Sequence, residues 1–255
     1  MKVGLIGFGK TGKAVASVLL QSKETNLQWV VRKSHNLEHR SVPEFLGIDS
    51  DEPGYIYSSE EFDAEELLDR FPVDVIIDFS SEHGVHYYGE AARNRGVAVV
   101  SAISSYSAQT VAYLRHLAHK TRVLWSPNIT IGINFLIIAA KILKSIAPHT
   151  DIEIVEEHFK AKPEVSGTAK KIATALGLED EVIKTVRAGG IIGVHEILFG
   201  FPYQTVRLKH ESITREAFGN GVLFAAKHLY GKSVGLYSME DLMIPYFNAG
   251  PAQAG

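Results

Sequence analysis

The sequence predicts an α/β protein: a parallel sheet covered on both faces by helices, followed by a smaller α+β part with a mixed sheet. Three observations lead there. Strand-like and helix-like segments alternate through the first ~125 residues. The strands among them, Val73–Phe79 (VDVIIDF) above all, are continuously apolar, as strands buried on both faces are. After Pro127 the pattern changes to a long apolar helix and strands that alternate with period two.

In order, Val3–Ile6 is a short strand, Ala14–Leu20 lies in a helix, and Leu27–Val31 is a second strand. Glu60–Asp69 is an acidic amphipathic helix, Val73–Phe79 a buried strand, Gly89–Asn94 helical, and Val97–Val100 another buried strand. Ala108–His119 is a helix with Val111, Leu114 and Ala118 on one face, and Val123–Trp125 closes the series. Beyond Pro127, Ile133–Ile146 is the long helix and Asp151–Glu157 (DIEIVEE) a half-exposed strand. Ala169–Leu176 is a helix, Gly193–Phe199 and Thr205–His210 are strands, Phe224–Tyr230 is helical, and Asn248–Gly255 reads as a loose tail. Two helices over several alternating strands leave one sheet face uncovered, and such a face packs against another subunit.

Composition removes several function classes. Among 255 residues there is no cysteine, so disulfides, thiolate metal sites and a cysteine nucleophile are excluded, and a cytoplasmic protein is expected. With 26 Lys and Arg against 29 Asp and Glu, net charge −3, no nucleic-acid partner is expected. The longest apolar stretch, Ile131–Ala140, is interrupted by Gly132 and Asn134 and is half the ~20 residues that span a bilayer, so no membrane partner is expected either.

Two motifs carry the chemistry. Gly7-Phe8-Gly9-Lys10-Thr11-Gly12 places GxGxxG directly after a strand and before a helix. The first glycine permits the tight turn, the second lets backbone approach a pyrophosphate, and the third lets helix pack on strand. This is the dinucleotide-binding signature of a Rossmann-type domain. At the end of the second strand stand Arg32 and Lys33, where a site selective for NAD carries a carboxylate on the ribose 2′-hydroxyl. Their charge suits a 2′-phosphate, so NADPH is preferred and NADH possible. The second motif, Glu156-Glu157-His158-Phe159-Lys160-Ala161-Lys162-Pro163-Glu164-Val165-Ser166-Gly167-Thr168, follows a strand and opens a helix. Ser166 is its N-cap, and the amides of Gly167 and Thr168 with the helix dipole offer a carboxylate site. Lys162 adds an ammonium able to give a proton. A solvated basic loop before a capped helix is the alternative. Glu156 and Glu157 read as a charged strand end, with a carboxylate pair as the alternative. His195 and His210 read as hydrogen-bonded structural residues, and Asp78 as a structural residue bordering the cofactor. His83 and His86 read as an exposed polar turn, and no metal is expected.

Over nearly its whole length the chain resembles the 4-hydroxy-tetrahydrodipicolinate reductase (dihydrodipicolinate reductase) family. The resemblance rests on the glycine loop, Asp78-Phe79-Ser80, Ser126-Pro127-Asn128-Ile129-Thr130, and Glu157-His158 … Lys162 … Ser166-Gly167-Thr168-Ala169. It extends to Arg187-Ala188-Gly189-Gly190 and to His210 … Arg215 … Phe218-Gly219-Asn220-Gly221. It implies NAD(P)H-dependent reduction of a cyclic, imine-like dicarboxylate in lysine and diaminopimelate biosynthesis. By the same resemblance His158 and Lys162 are catalytic, and Ser166, Gly167 and Thr168 bind substrate. Gly7, Phe8, Gly9, Lys10, Thr11 and Gly12, with Arg32, Lys33, Phe79, Ser80, Ser101 and Asn128, bind cofactor. It implies a homotetramer joined through the second sheet, and a dinucleotide-binding domain of residues 1–127 and 217–255 around a substrate and tetramerisation domain of 128–216. The chain departs from the family pattern at Ser101-Ala102-Ile103-Ser104, where Gly-Thr-Thr-Gly is usual, and in a loop between Lys162 and Ser166 one residue shorter. Those departures leave two alternatives: a related NAD(P)-dependent dehydrogenase of amino or diamino acids, and a non-catalytic NADPH-binding homologue.

Overall fold

The computed structural model describes residues 1–248, which divide into two compact units. The first comprises Met1–Thr130 and Phe218–Leu242, the second Ile131–Ala217 and the chain from Met243 on.

The first unit is a seven-stranded sheet whose neighbouring strands all run parallel. Its strands are β1 (Lys2–Ile6), β2 (Asn26–Arg32), β3 (Tyr55–Ser58), β4 (Val75–Asp78), β5 (Ala98–Ser101), β6 (Arg122–Trp125) and β11 (Gly235–Tyr237), in the order β11-β6-β5-β4-β1-β2-β3. The helices are α1 (Lys10–Gln21), α2 (Val42–Leu46), α3 (Ala64–Arg70), α4 (Val85–Arg95), α5 (Ala108–Leu117) and α8 (Glu216–Tyr230). Every residue of β4 and β5 is buried, which is why those strands read as apolar up to their last residues, Asp78 and Ser101. Trp29, Tyr88, Leu67 and Leu114 fill the core on one side of the sheet.

Several elements here differ from expectation. The helix expected from Glu60 starts at Ala64, because the Asp63 side chain accepts from Glu66 N at 2.8 Å and caps it there. Strand β3 and the short helix α2 lie in a stretch that the periodicity left unassigned. A four-residue strand is too short to show a period.

The second unit has a four-stranded mixed sheet in the order β10-β9-β7-β8. Its strands are β7 (Asp151–His158), β8 (Ile183–Arg187), β9 (Val194–Phe201) and β10 (Gln204–Glu211). Strands β7 and β8 are parallel, and β9 runs antiparallel to both β7 and β10. Helices α6 (Ile131–Ile146) and α7 (Gly167–Ala175) pack Ile133, Leu136, Ile137, Ile172 and Ala173 with Ile152, Ile154, Ile197 and Phe199 of the sheet. Strand β8 (IKTVR) was not foreseen: its three middle residues are exposed, so little apolar pattern marks it. Residues 217–255 were expected to return wholly to the first unit. From Met243 the chain instead groups with the second, where Phe247 in α9 (Met239–Asn248) stacks on Phe135 at 5.4 Å. The expected tail, apart from Asn248 at the end of α9, lies outside the described residues.

Candidate active site

In the first unit, a cleft of about 690 Å³ opens at the C-terminal ends of β1, β2 and β4. Strand β1 sits between β4 and β2, so chain order reverses across it, the place where open parallel sheets bind nucleotides. Gly7 has φ +95°, and a Cβ there would lie 2.7 Å from the Phe79 carbonyl. A Cβ on Gly12 would meet Gly7 O at 2.1 Å. Gly9 is the N-cap of α1 and brings no side-chain cap to its first amides, which leaves them for an anion. Gly7, Phe8, Gly9, Arg32, Lys33, Phe79 and Ser80 of the expected cofactor set all line the cleft. The narrow glycine turn, the uncapped helix start and the basic rim fit a dinucleotide.

Other expected residues stand elsewhere. Lys10, Thr11 and Gly12 form the first turn of α1. Ser101, buried at the end of β5, pairs its Oγ with Tyr106 Oη at 2.7 Å. The Asn128 Oδ1 accepts from Thr130 N at 3.0 Å and Thr130 Oγ1 at 2.8 Å, organising the approach to α6. None of these five lines the cleft.

One side chain not singled out from the sequence, Ser34, and one expected to border the cofactor as a structural residue, Asp78, belong to this cleft's structure. Ser34 lines it, and its Oγ is buried with no hydrogen-bond partner beside Arg32 and Lys33. Asp78 shapes the wall: it accepts from Ser80 N at 2.8 Å, Ser80 Oγ at 2.6 Å and Tyr88 Oη at 2.8 Å. Burial raises the Asp78 carboxyl above its usual value, against the pull of those three donors. Arg32 Nη1 meanwhile donates to Asn36 O at 3.0 Å.

In the second unit, the expected motif gathers around a buried carboxylate. Period two along β7 puts Glu156 on the inward face with Ile152, Ile154 and His158, and Glu156 is 0% exposed. The reading of Glu156 as a charged strand end is therefore corrected, while Glu157 beside it is only partly buried. His158 Nδ1 hydrogen-bonds Glu156 Oε2, and Arg187 Nη2 donates to Glu156 Oε1 at 2.6 Å. Arg187 stands opposite His158 in the parallel register, which sets this reach. The same guanidinium donates from Nε to Lys162 O at 3.1 Å and from Nη2 to Glu164 O at 2.9 Å, fastening the loop that carries Lys162. Burial would raise the Glu156 carboxyl, but its bonds to Arg187 and His158 outweigh that and hold it below its usual value. Burial lowers His158, helped by the charges of Lys162 and Arg187 and opposed by Glu156.

A second histidine joins from β9. Ser166 Oγ accepts from Thr168 N at 3.1 Å and Ala169 N at 3.4 Å, and pairs with His195 Nε2 at 2.9 Å. With its lone pairs so used, the Ser166 hydroxyl gives its hydrogen to His195. His195 then carries its own hydrogen on Nδ1, an atom buried without a partner. Burial pushes His195 down to about 3, so it is neutral. Its ring meets that of His158 edge-on at 5.3 Å. His210 faces His195 across the ladder, and its Nδ1 is likewise buried without a partner. The cap alters one expectation: it occupies the Thr168 amide, so the Gly167 amide is the one of the two without a partner among the described residues. His83 is exposed beside Glu82, and His86 stacks on Tyr113. Among the described residues no group of three or more His, Asp or Glu side chains is arranged to hold a metal ion.

A dinucleotide cleft at the switch point of a parallel sheet, together with a separate mixed-sheet unit bearing a buried histidine–carboxylate–arginine cluster, defines a nicotinamide-nucleotide-dependent oxidoreductase. Residues 1–129 match the family model described as dihydrodipicolinate reductase, N-terminus, and residues 129–243 the one described as dihydrodipicolinate reductase, C-terminus. The chain belongs to the dihydrodipicolinate reductase family. The 4-hydroxy-tetrahydrodipicolinate reductase of Syntrophus aciditrophicus is 30% identical over 266 aligned positions, covering 93% of this chain and 96% of the relative. That of Caldanaerobacter subterraneus is 33% identical over 192, covering 67% and 76%. Among solved structures, the dipicolinate-bound dihydrodipicolinate reductase of Paenisporosarcina sp. TG-14 superposes with a TM-score of 0.77 at 22% identity, covering 93% of this chain and 97% of that one. An amine dehydrogenase of Mycobacterium smegmatis shares the fold more loosely, at a TM-score of 0.65 and 13% identity.

Proposed function

We infer that this chain catalyses the NAD(P)H-dependent reduction of 4-hydroxy-tetrahydrodipicolinate to tetrahydrodipicolinate in lysine and diaminopimelate biosynthesis. The observation that carries the reading is the match of both halves of the chain, in order, to the two parts of one reductase family. A bound nicotinamide supplies the hydride. The chain's own residues supply charge, protons and position. The Lys162 ammonium, which forms no ion pair among the described residues, is the general acid for the nitrogen that gains electrons. His158 presents a ring held by Glu156 to the same substrate. The Gly167 amide, the Thr168 side chain and the positive end of α7 receive a substrate carboxylate, with Ser166 holding that helix start in shape.

Arg32, Lys33 and the unpartnered Ser34 hydroxyl favour NADPH over NADH, because a 2′-phosphate offers Arg32 and Lys33 an opposite charge and Ser34 a partner. A homotetramer joined through the second sheet fits β8, whose middle three residues are exposed. The cytoplasm is its proposed location. Among the described residues no helix is long and apolar enough to cross a membrane.

The test is NADPH oxidation with freshly generated 4-hydroxy-tetrahydrodipicolinate. Turnover is expected, and Lys162→Ala is expected to lower kcat roughly 10²-fold or more, the usual share of a general acid. No turnover, with NADP-dependent oxidation of diamino acids instead, would replace this reading by that of a diamino-acid dehydrogenase. Tight NADPH binding with neither reaction would leave a non-catalytic homologue.

A further inference from the structure

Burying a carboxylate costs stability even when it is paired, and the inward positions before Glu156 on β7 are filled by Ile152 and Ile154. A third apolar residue would serve the core at that position. Glu156 instead accepts from Ser166 N at 3.4 Å and makes two further contacts that each bear on a reacting group. One oxygen takes the Nδ1 side of His158. The other takes Arg187, whose remaining donors hold the carbonyls of Lys162 and Glu164.

We propose that Glu156 is a positioning residue: its carboxylate fixes the His158 ring with hydrogen on Nδ1 and turns a bare Nε2 outward, while Arg187 holds that carboxylate and the Lys162 loop in one arrangement. The proposal rests on the reading of His158 and Lys162 as reacting groups. A carboxylate can only accept, so neutral His158 must donate from Nδ1. Its Nε2 lies beside Gly193, where a Cβ would come within 3.2 Å, and it has no hydrogen-bond partner among the described residues. The groups facing the ring are Glu156 on its own strand, Arg187 on β8, His195 on β9 and Lys162 in the loop. Glu156 is the one anion among them, so it alone supports the protonated ring. An anchor for the loop and nothing more would require only that Arg187 be held. It would leave the protonation of His158 indifferent to the charge at position 156.

Nitrogen-15 NMR of the histidines in the intact chain reads this directly. In the unaltered protein at neutral pH, His158 is expected to carry hydrogen on Nδ1 and none on Nε2. The opposite tautomer would overturn the proposal without any variant. In Glu156→Gln the amide oxygen still accepts from Nδ1, but the negative charge is gone. His158 is then expected to titrate about one pH unit lower or more. The pH profile of kcat is expected to move with it, and kcat to fall roughly 10- to 100-fold. The KM for NADPH is expected to stay as it was. A His158 titration and a pH profile both unmoved in a folded Glu156→Gln chain would reduce Glu156 to a loop anchor. Should that chain not fold, the tautomer of the unaltered protein decides. A His158→Ala chain with full turnover would instead remove the reading of the site, and the tautomer result would stand apart from it.

Discussion

His195 shows how one buried side chain ties the site to the stability of the fold. Burial pushes its ring down to about 3, whereas an unfolded chain takes up a proton there near the usual 6.5. Between those values the unfolded state binds more protons, so stability rises with pH across the window and is lost as the pH falls through it. The loss is at most about 1.4 kcal/mol per pH unit. Urea unfolding at pH 6.5 and at pH 4 checks this: the midpoint is expected to fall on acidification, and His195→Gln to flatten that fall. An equal slope in both chains would show that other groups govern it. At this scale the sequence is legible where function is local. Gly7, Gly9 and Gly12 follow one another along the chain, so their role shows in spacing alone. Glu156 was hidden because its partners Arg187 and Ser166 lie 31 and 10 positions away. Only its parity with Ile152 and Ile154 marks it as inward.

Elements reveal themselves in proportion to the apolar surface they bury. Strands β4 and β5 and helix α6 announce themselves by composition and β10 by its alternation, whereas β8 exposes three successive residues and carries charge. Helix α9 contains Pro245, a residue that argues against a helix in any local reading. Caps set the starts. Removing the Asp63 cap from α3 by Asp63→Ala is expected to cost about 1 kcal/mol, read from the urea midpoint. No change would mean that packing of Leu67 and Leu68 alone positions that helix.

For the whole molecule, the proposed function gives the two units separate tasks in the reaction. The first carries the nucleotide cleft, the second the histidine–carboxylate–arginine cluster. Changes in one are therefore expected to leave the other's binding step intact. Arg32→Ala combined with Lys33→Ala is expected to raise KM for NADPH far more than for NADH, with kcat at saturating cofactor little altered. Equal increases for both cofactors would discard the 2′-phosphate argument. The order of the units along the chain has a further result. Strand β11, which pairs with β6 at one end of the large sheet, is made some 110 residues after β6, once the Ile131–Ala217 part of the second unit has been synthesised. While the chain is leaving the ribosome, β6 is an open edge with unpaired backbone groups, a template for pairing with a neighbouring nascent chain. A product truncated at Ala217 keeps that edge open for good and is expected to aggregate, as light scattering would register, whereas the finished chain closes it with β11.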